Sequence, residues 1–274
     1  MHTALTIAGS DSSGGAGIQA DLKTFAAHRV YGTSVITAVT AQSTIGVTGA
    51  VALDADFVTA QIEAVAGDIA IHAVKTGMLA SAAIVEAVAA AIEELELPLV
   101  VVDPVMVATS GDRLLDADGV QVLVAELLPR ALVVTPNIPE AEALCGRTIR
   151  SLADAREAAR RIQDMGPSAV IVKGGHAAGD EVVDLLFDGE AFVEWRTPRI
   201  ATKNTHGTGC TFASAVAANL ALGRSLKDAA FAAQQYVAGA IRHGFAVGKG
   251  HGALDHFWRF RFDRDATIGH EGQD

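Results

Sequence analysis

Apolar and polar positions alternate along this chain in two kinds of block. Short runs of Val, Ile, Leu and Ala with almost no polar break read as buried strands. They lie at Ala4–Ala8, Ile71–Lys75, Leu99–Pro104, Leu132–Pro136 and Ala169–Gly175. Ser34–Ala41 is β-branched and strand-like in the same way. Between these runs, apolar residues recur at helical spacing, which predicts helices over Ile18–Arg29, Asp56–Ala66, Ala82–Leu95, Val120–Leu128 and Leu152–Met165. Val182–Phe187 and Ala191–Arg196 flank the turn D-G-E and predict a hairpin. Two Ala-rich helices, Thr211–Leu222 and Leu226–Arg242, complete the pattern. Continuous apolar strands alternating with helices imply an α/β fold: a mostly parallel central sheet with helices on both faces. In such sheets ligands bind beyond the carboxyl ends of the strands.

Composition narrows the picture. No linker, repeat or low-complexity segment divides the chain, so residues 1–262 read as a single domain and 263–274 as a polar, disordered tail. The net charge of −11 argues against a nucleic-acid or anionic-membrane surface, which would need a basic stripe. No apolar run is long enough to span a bilayer, and the first residues lack a signal-peptide pattern. Only two cysteines, Cys145 and Cys210, are present, which suggests a reducing compartment; a cytoplasmic enzyme is expected.

Three of the predicted strands end on polar groups: Asp103, Thr135 with Asn137, and Lys173 before Gly174–Gly175. One alone could be a helix cap or a turn residue. Together, along one sheet edge, they point to a site. The second signal is N-T-H-G-T-G-C, Asn204–Cys210, directly before an Ala-rich helix. Glycines here let successive N–H groups point outward, and with the helix dipole these make an anion site. Cys210 falls within the first turn, where a thiolate is stabilised and the thiol should ionise below its ordinary pKa of about 8.5. A cradle for anionic oxygen beside a proton acceptor suits phosphoryl transfer. The alternative is a glycine-rich helix start with a small buried thiol. No G-K-[ST] follows, so this is not a Walker loop.

The motifs I-A-G-S-D-S-S-G-G-A-G-I-Q-A-D-L-K (7–23), T-A-V-T-A-Q-S-T (37–44), V-K-T-G-M-L (74–79), D-P-V-M-V-A-T-S-G (103–111), T-P-N-I-P-E-A-E (135–142), V-K-G-G-H (172–176) and K-N-T-H-G-T-G-C-T (203–211) cover nearly the whole chain. In this order they resemble the ribokinase-like superfamily, and within it the hydroxymethylpyrimidine/phosphomethylpyrimidine kinase family of thiamine biosynthesis. G-T-G-C, in place of the sugar kinases' G-A-G-D, marks this branch. The resemblance implies a ribokinase-like three-layer α/β/α sandwich that uses ATP and Mg2+. It further implies that the chain phosphorylates 4-amino-5-hydroxymethyl-2-methylpyrimidine and then its monophosphate.

Site residues follow by resemblance. Cys210 stands where sugar kinases keep a catalytic Asp, and the Gly207, Thr208 and Gly209 amides form the anion hole. Gln42 reads the aminopyrimidine edge, since a carboxamide matches a neighbouring donor and acceptor. Met78 and Val105 wall the ring and Gly9 leaves space for it. Asp21 either bonds the substrate or only complements the helix dipole. Lys173, Asp103, Asn137 and Thr135 face the nucleotide, and Glu140 orders Mg2+ through water, in the family's manner. His206 is expected to order backbone rather than act as the base, and Cys145 has no expected role. The remaining histidines show no metal-ligand spacing. A homodimer with a small-molecule substrate is expected. Two alternatives stay open: a pyridoxal/pyridoxine kinase, and a non-catalytic protein that binds a vitamin precursor.

Overall fold

The structure, a computed structural model, describes residues 1–107, 111, 114–176 and 179–260. The expected polar tail and part of the D-P-V-M-V-A-T-S-G motif lie outside the described residues. The strands are β1 (Thr3–Ser10), β2 (Tyr31–Gln42), β3 (Val47–Ala52), β4 (Ala73–Thr76), β5 (Val100–Val102), β6 (Val133–Val134), β7 (Ala169–Val172), β8 (Glu181–Phe187) and β9 (Phe192–Pro198). They form one sheet in the order β3-β2-β1-β4-β5-β6-β7-β8-β9. From β2 to β7 the neighbours are parallel; β3, β8 and β9 are added antiparallel.

Helices α1 (Gly17–Ala27), α7 (Thr208–Ala221) and α8 (Leu226–Arg242) cover one face. Their Phe25, Phe212, Val216 and Tyr236 pack with Val101, Val133 and Ile171 of the sheet. Helices α2 (Ala55–Ala66), α3 (Ala82–Glu94), α4 (Ala117–Val122), α5 (Ile138–Cys145) and α6 (Leu152–Gln163) cover the other. There Val58, Ile62, Val88 and Ile162 meet Leu5, Ile7 and Val102. The result is the expected three-layer sandwich. Burial on both faces explains the unbroken apolar strands.

Three departures from the pattern have physical causes. β3 was not predicted: five of its six residues are exposed, so no alternation marks it. α5 is only eight residues long and begins at the Asn137 cap with Pro139 in its first turn, so periodicity cannot show it. α7 begins at Thr208, three residues earlier than predicted, because Gly207 is its cap in a left-handed conformation. Residues Thr211–Ala221 of α7 are all buried, and its alanines let the helix lie close to the sheet. Among the described residues no helix is long and apolar enough to cross a membrane.

Candidate active site

Parallel pairing brings the exits of β1, β2, β4, β5, β6 and β7 to one edge, and α7 starts there. Gly207 has φ 82°, and a side chain on it would collide with the Gly15 carbonyl. No side chain caps α7 and no acid lies in its first turn. Thr208 turns its amide (3.3 Å) and hydroxyl (2.7 Å) onto the Thr205 carbonyl. The next amides, of Gly209 and Cys210, are helix-start donors without an intrahelical acceptor. Beside them Lys173 donates to Asp103 Oδ1 at 2.8 Å. A Cβ on Gly209 would lie 3.3 Å from Lys173 Nζ and 3.6 Å from Asp103 Oδ2. Asp103, Lys173, Gly209 and Cys210 are thus brought together from three separate elements, and the open helix start suits an anionic phosphate.

One expectation fails. Cys210 does stand at the third position of α7, but its thiol is not held below the ordinary range. Burial pushes it up to about 11. Lys75 opposes this, Asp21 and Asp103 add to it, and a Gly17 backbone contact lowers it. Desolvation of the thiolate outweighs the opposing pull of Lys75 and of the Gly17 backbone bond.

Of the other nucleotide-side residues, Thr135 lies behind the edge. It is fully buried and its hydroxyl donates to Asp103 Oδ1 at 3.2 Å, so it braces Asp103. Asn137 caps α5 and forms a capping box with Glu140. The Asn137 amide donates to Glu140 Oε2 (2.8 Å) and the Glu140 amide to Asn137 Oδ1 (2.9 Å). The helix-cap role of Glu140 is therefore real, whatever else it does. Burial pushes its carboxyl up to about 7, with Lys173 opposing and Asp103 adding. Lys173 is paired with Asp103 alone and only attracts Glu140 from a distance, a charge balance that suits a further cation. Among the described residues no three His, Cys, Asp or Glu side chains gather to hold a metal. A Mg2+ ion here would take the rest of its shell from phosphate oxygens and water.

At the substrate end, Gly9 and Met78 meet. The Gly9 amide donates to the Met78 carbonyl (3.1 Å), and a Cβ on Gly9 would lie 2.9 Å from Met78 Sδ. Gln42 closes β2 with its side chain half-buried, and Oε1 accepts from Thr40 Oγ1 at 3.1 Å. Val105, half-buried, follows Asp103 at the same edge. Asp21 does not join them. It is fully buried, and its oxygens accept from Lys75 (2.8 and 3.0 Å), Thr6 (2.6 Å) and Ser214 (2.6 Å).

Two residues were not singled out from the sequence. Asp11 accepts from the Ser13 amide and hydroxyl, the Gly15 and Ala16 amides and His206 Nε2, all at 2.7–3.1 Å. Burial raises its pKa, but the bonds from His206, Ser13 and Ala16 outweigh it and hold the carboxyl well below the usual range. Asp11 and His206 thereby tie the β1–α1 loop to the start of α7. In the same loop Ser12 holds the Gln42 backbone through two bonds. The density of Ser and Gly after Asp11 was the available signal. Lys75, the other omission, is fully buried in β4, where a lysine is itself unusual.

Known proteins resemble this chain over nearly its whole length. The chain is 52% identical over 252 residues to a thiamine biosynthesis bifunctional protein of Geobacter sulfurreducens, covering 92% of this chain but only 51% of that longer protein. It is 52% identical over 256 residues to a hydroxymethylpyrimidine/phosphomethylpyrimidine kinase of Synechococcus elongatus, covering 93% and 97% of the two chains. A solved structure of pyridoxal kinase from Staphylococcus aureus, in complex with AMP-PCP and pyridoxal, superposes with a TM-score of 0.88 at 38% identity over 95% of each chain. The sequence profile of phosphomethylpyrimidine kinase matches residues 11–255, from the buried Asp11 to beyond the last helix. With that span and those identities, the chain belongs to the phosphomethylpyrimidine kinase family.

Proposed function

We propose that this chain transfers the γ-phosphoryl group of ATP to the hydroxymethyl oxygen of 4-amino-5-hydroxymethyl-2-methylpyrimidine, and then phosphorylates the monophosphate to the diphosphate. The observation that carries this is the start of α7, which no side chain caps and where the Gly209 and Cys210 amides lie open beside the Lys173–Asp103 pair. The Gly209 and Cys210 amides and Lys173 would neutralise charge on the transferred group. The substrate oxygen forms the new P–O bond while the bond to the departing ADP breaks, and the hydroxyl proton passes to the Cys210 sulfur. Only the thiolate can accept it, and burial keeps that form scarce at neutral pH. Mg2+, with Glu140 and Asp103 nearby, would supply positive charge to the phosphates. Gly9, Met78 and Val105 would hold the ring, with Gln42 at its amino edge. Asn137 would act through Glu140 and Thr135 through Asp103.

A second reading is phosphorylation of pyridoxal, favoured by the likeness to the pyridoxal kinase structure. ADP formation measured with each alcohol separately, and the products weighed by mass spectrometry, tests both. ATP turnover with neither alcohol would reject the proposal. The reading includes a cytoplasmic setting and a homodimer, for which the exposed Val39, Ile45 and Val51 of the β2–β3 edge offer an apolar surface. Light scattering on the purified chain checks the dimer.

A further inference from the structure

Four polar side chains from four elements meet beneath the site, and each is fully buried: Thr6 on β1, Asp21 on α1, Lys75 on β4 and Ser214 on α7. Lys75 Nζ donates to both oxygens of Asp21, at 2.8 and 3.0 Å. Thr6 and Ser214 each add a bond of 2.6 Å. Every oxygen of the carboxylate is satisfied, yet a buried ion pair adds little to stability over apolar residues of the same volume. Its position offers another reason. Ser214 is one helical turn beyond Cys210, on the same face of α7. Lys75 Nζ lies directly under Gly77, where a Cβ would come within 2.7 Å of it. Gly77 precedes Met78, so the ammonium sits between the floor of the substrate site and the first turn of α7.

We propose that Lys75, clamped by Asp21, is a positioning residue that supplies fixed positive charge to the Cys210 sulfur from inside the protein. This rests on the reading of Cys210 as the proton acceptor. The charged groups around the sulfur are Asp21 from α1, Lys75 from β4, Asp103 beyond β5 and Lys173 beyond β7. Asp103 and Lys173 are paired with each other. Among the groups acting on the thiol, Lys75 is the strongest opposing burial, ahead of the contrary effect of Asp21. Although burial disfavours its charge, Asp21, Cys210 and Asp103 hold Lys75 above the usual lysine range, so it stays protonated. The clamp keeps the ammonium from turning to other partners.

The test is the alkylation rate of Cys210 by iodoacetamide at about pH 9, in a Cys145→Ala background, read by mass spectrometry of the labelled peptide. The paired variant Lys75→Gln/Asp21→Asn removes both charges without leaving either unpaired. It should react at least about threefold more slowly, outside the scatter of the neutral control, because the net pull of the pair on the thiolate is lost. Ser214→Ala keeps both charges and should react within about twofold of the parent, the scatter expected of a neutral structural change. Equal rates for parent and paired variant, or an equal loss in Ser214→Ala, would overturn the proposal. Should the paired variant not fold, the parent decides: buried control leaves the rate unchanged up to about 1 M salt, whereas control by exposed charges makes it salt-dependent. Turnover of Cys210→Ala is measured alongside. Full activity there would remove the proton-acceptor reading, while the alkylation rates still decide whether Lys75 acts on the sulfur.

Discussion

Cys210 shows how two effects compete at one atom. The start of α7 favours a thiolate, and the surrounding desolvation disfavours it more. Alkylation should therefore speed up about tenfold per pH unit throughout the range below the thiol's pKa of about 11, as thiolate accumulates. Cys210→Ala should fold and bind ATP but lose about 10²-fold or more in turnover, the scale of a lost general base. Near-parental turnover would take the sulfur out of the chemistry. In the proposed function Gln42 discriminates between substrates. Apolar walls such as Met78 and Val105 discriminate by only about 1–3 kcal/mol per group. A carboxamide adds about 1–3 kcal/mol for each buried polar atom left unpaired by the wrong ring. Gln42→Met should therefore lower kcat/KM strongly for the hydroxymethylpyrimidine and much less for pyridoxal. Equal falls for both would make Gln42 a structural residue, consistent with its bond from Thr40.

At the scale of elements, one residue of α5 joins an observed role to a proposed one. Glu140 closes the capping box, and Gln serves that position as well as Glu. Glu140→Gln should therefore keep the cap and be at least as stable as the parent at neutral pH, while the Mg2+ needed for half-maximal rate rises. Glu140→Ala should also lose the cap, about 1 kcal/mol of stability. An unchanged Mg2+ titration in the Gln variant would leave Glu140 as a cap alone. The two loops of the site are likewise one unit. Asp11 orders the β1–α1 loop, His206 ties that loop to α7, and Ser12 ties it to Gln42.

For the whole molecule, buried titrating groups set the response to acid. His256 is buried with Nε2 3.1 Å from Thr211 Oγ1. Burial, aided by Lys23 and opposed by Asp255, lowers its pKa to about 4. An unfolded chain takes up this proton near pH 6.5, so between about 6.5 and 4 the unfolded state binds more protons and acid destabilises the fold. The full effect is about 3 kcal/mol. Asp11, whose carboxyl is held low, contributes stability that is lost as pH falls below about 4. Glu140 works the other way, since its raised pKa makes stability fall as pH rises from about 4.5 to 7. Comparing parent with His256→Gln isolates one group. The variant should lose the part of the slope between pH 6.5 and 4, and parallel curves in denaturant titrations would refute the assignment.

Chain order alone was enough to determine most of this architecture. A strand buried on both faces must be apolar throughout, and Val100–Val102 or Ala169–Val172 can be read as such without coordinates. The glycines before Cys210 likewise announce a helix start open to anions, because that property belongs to the local backbone. What lay beyond the sequence were the interactions between distant segments. The Asp11–His206 pair joins residues 195 apart, and the Ser214–Asp21 bond joins residues 193 apart. No local pattern encodes either contact. The ionisation of Cys210 depends on the same distant groups and on burial, so only the folded chain could decide it, and it decided against the local expectation.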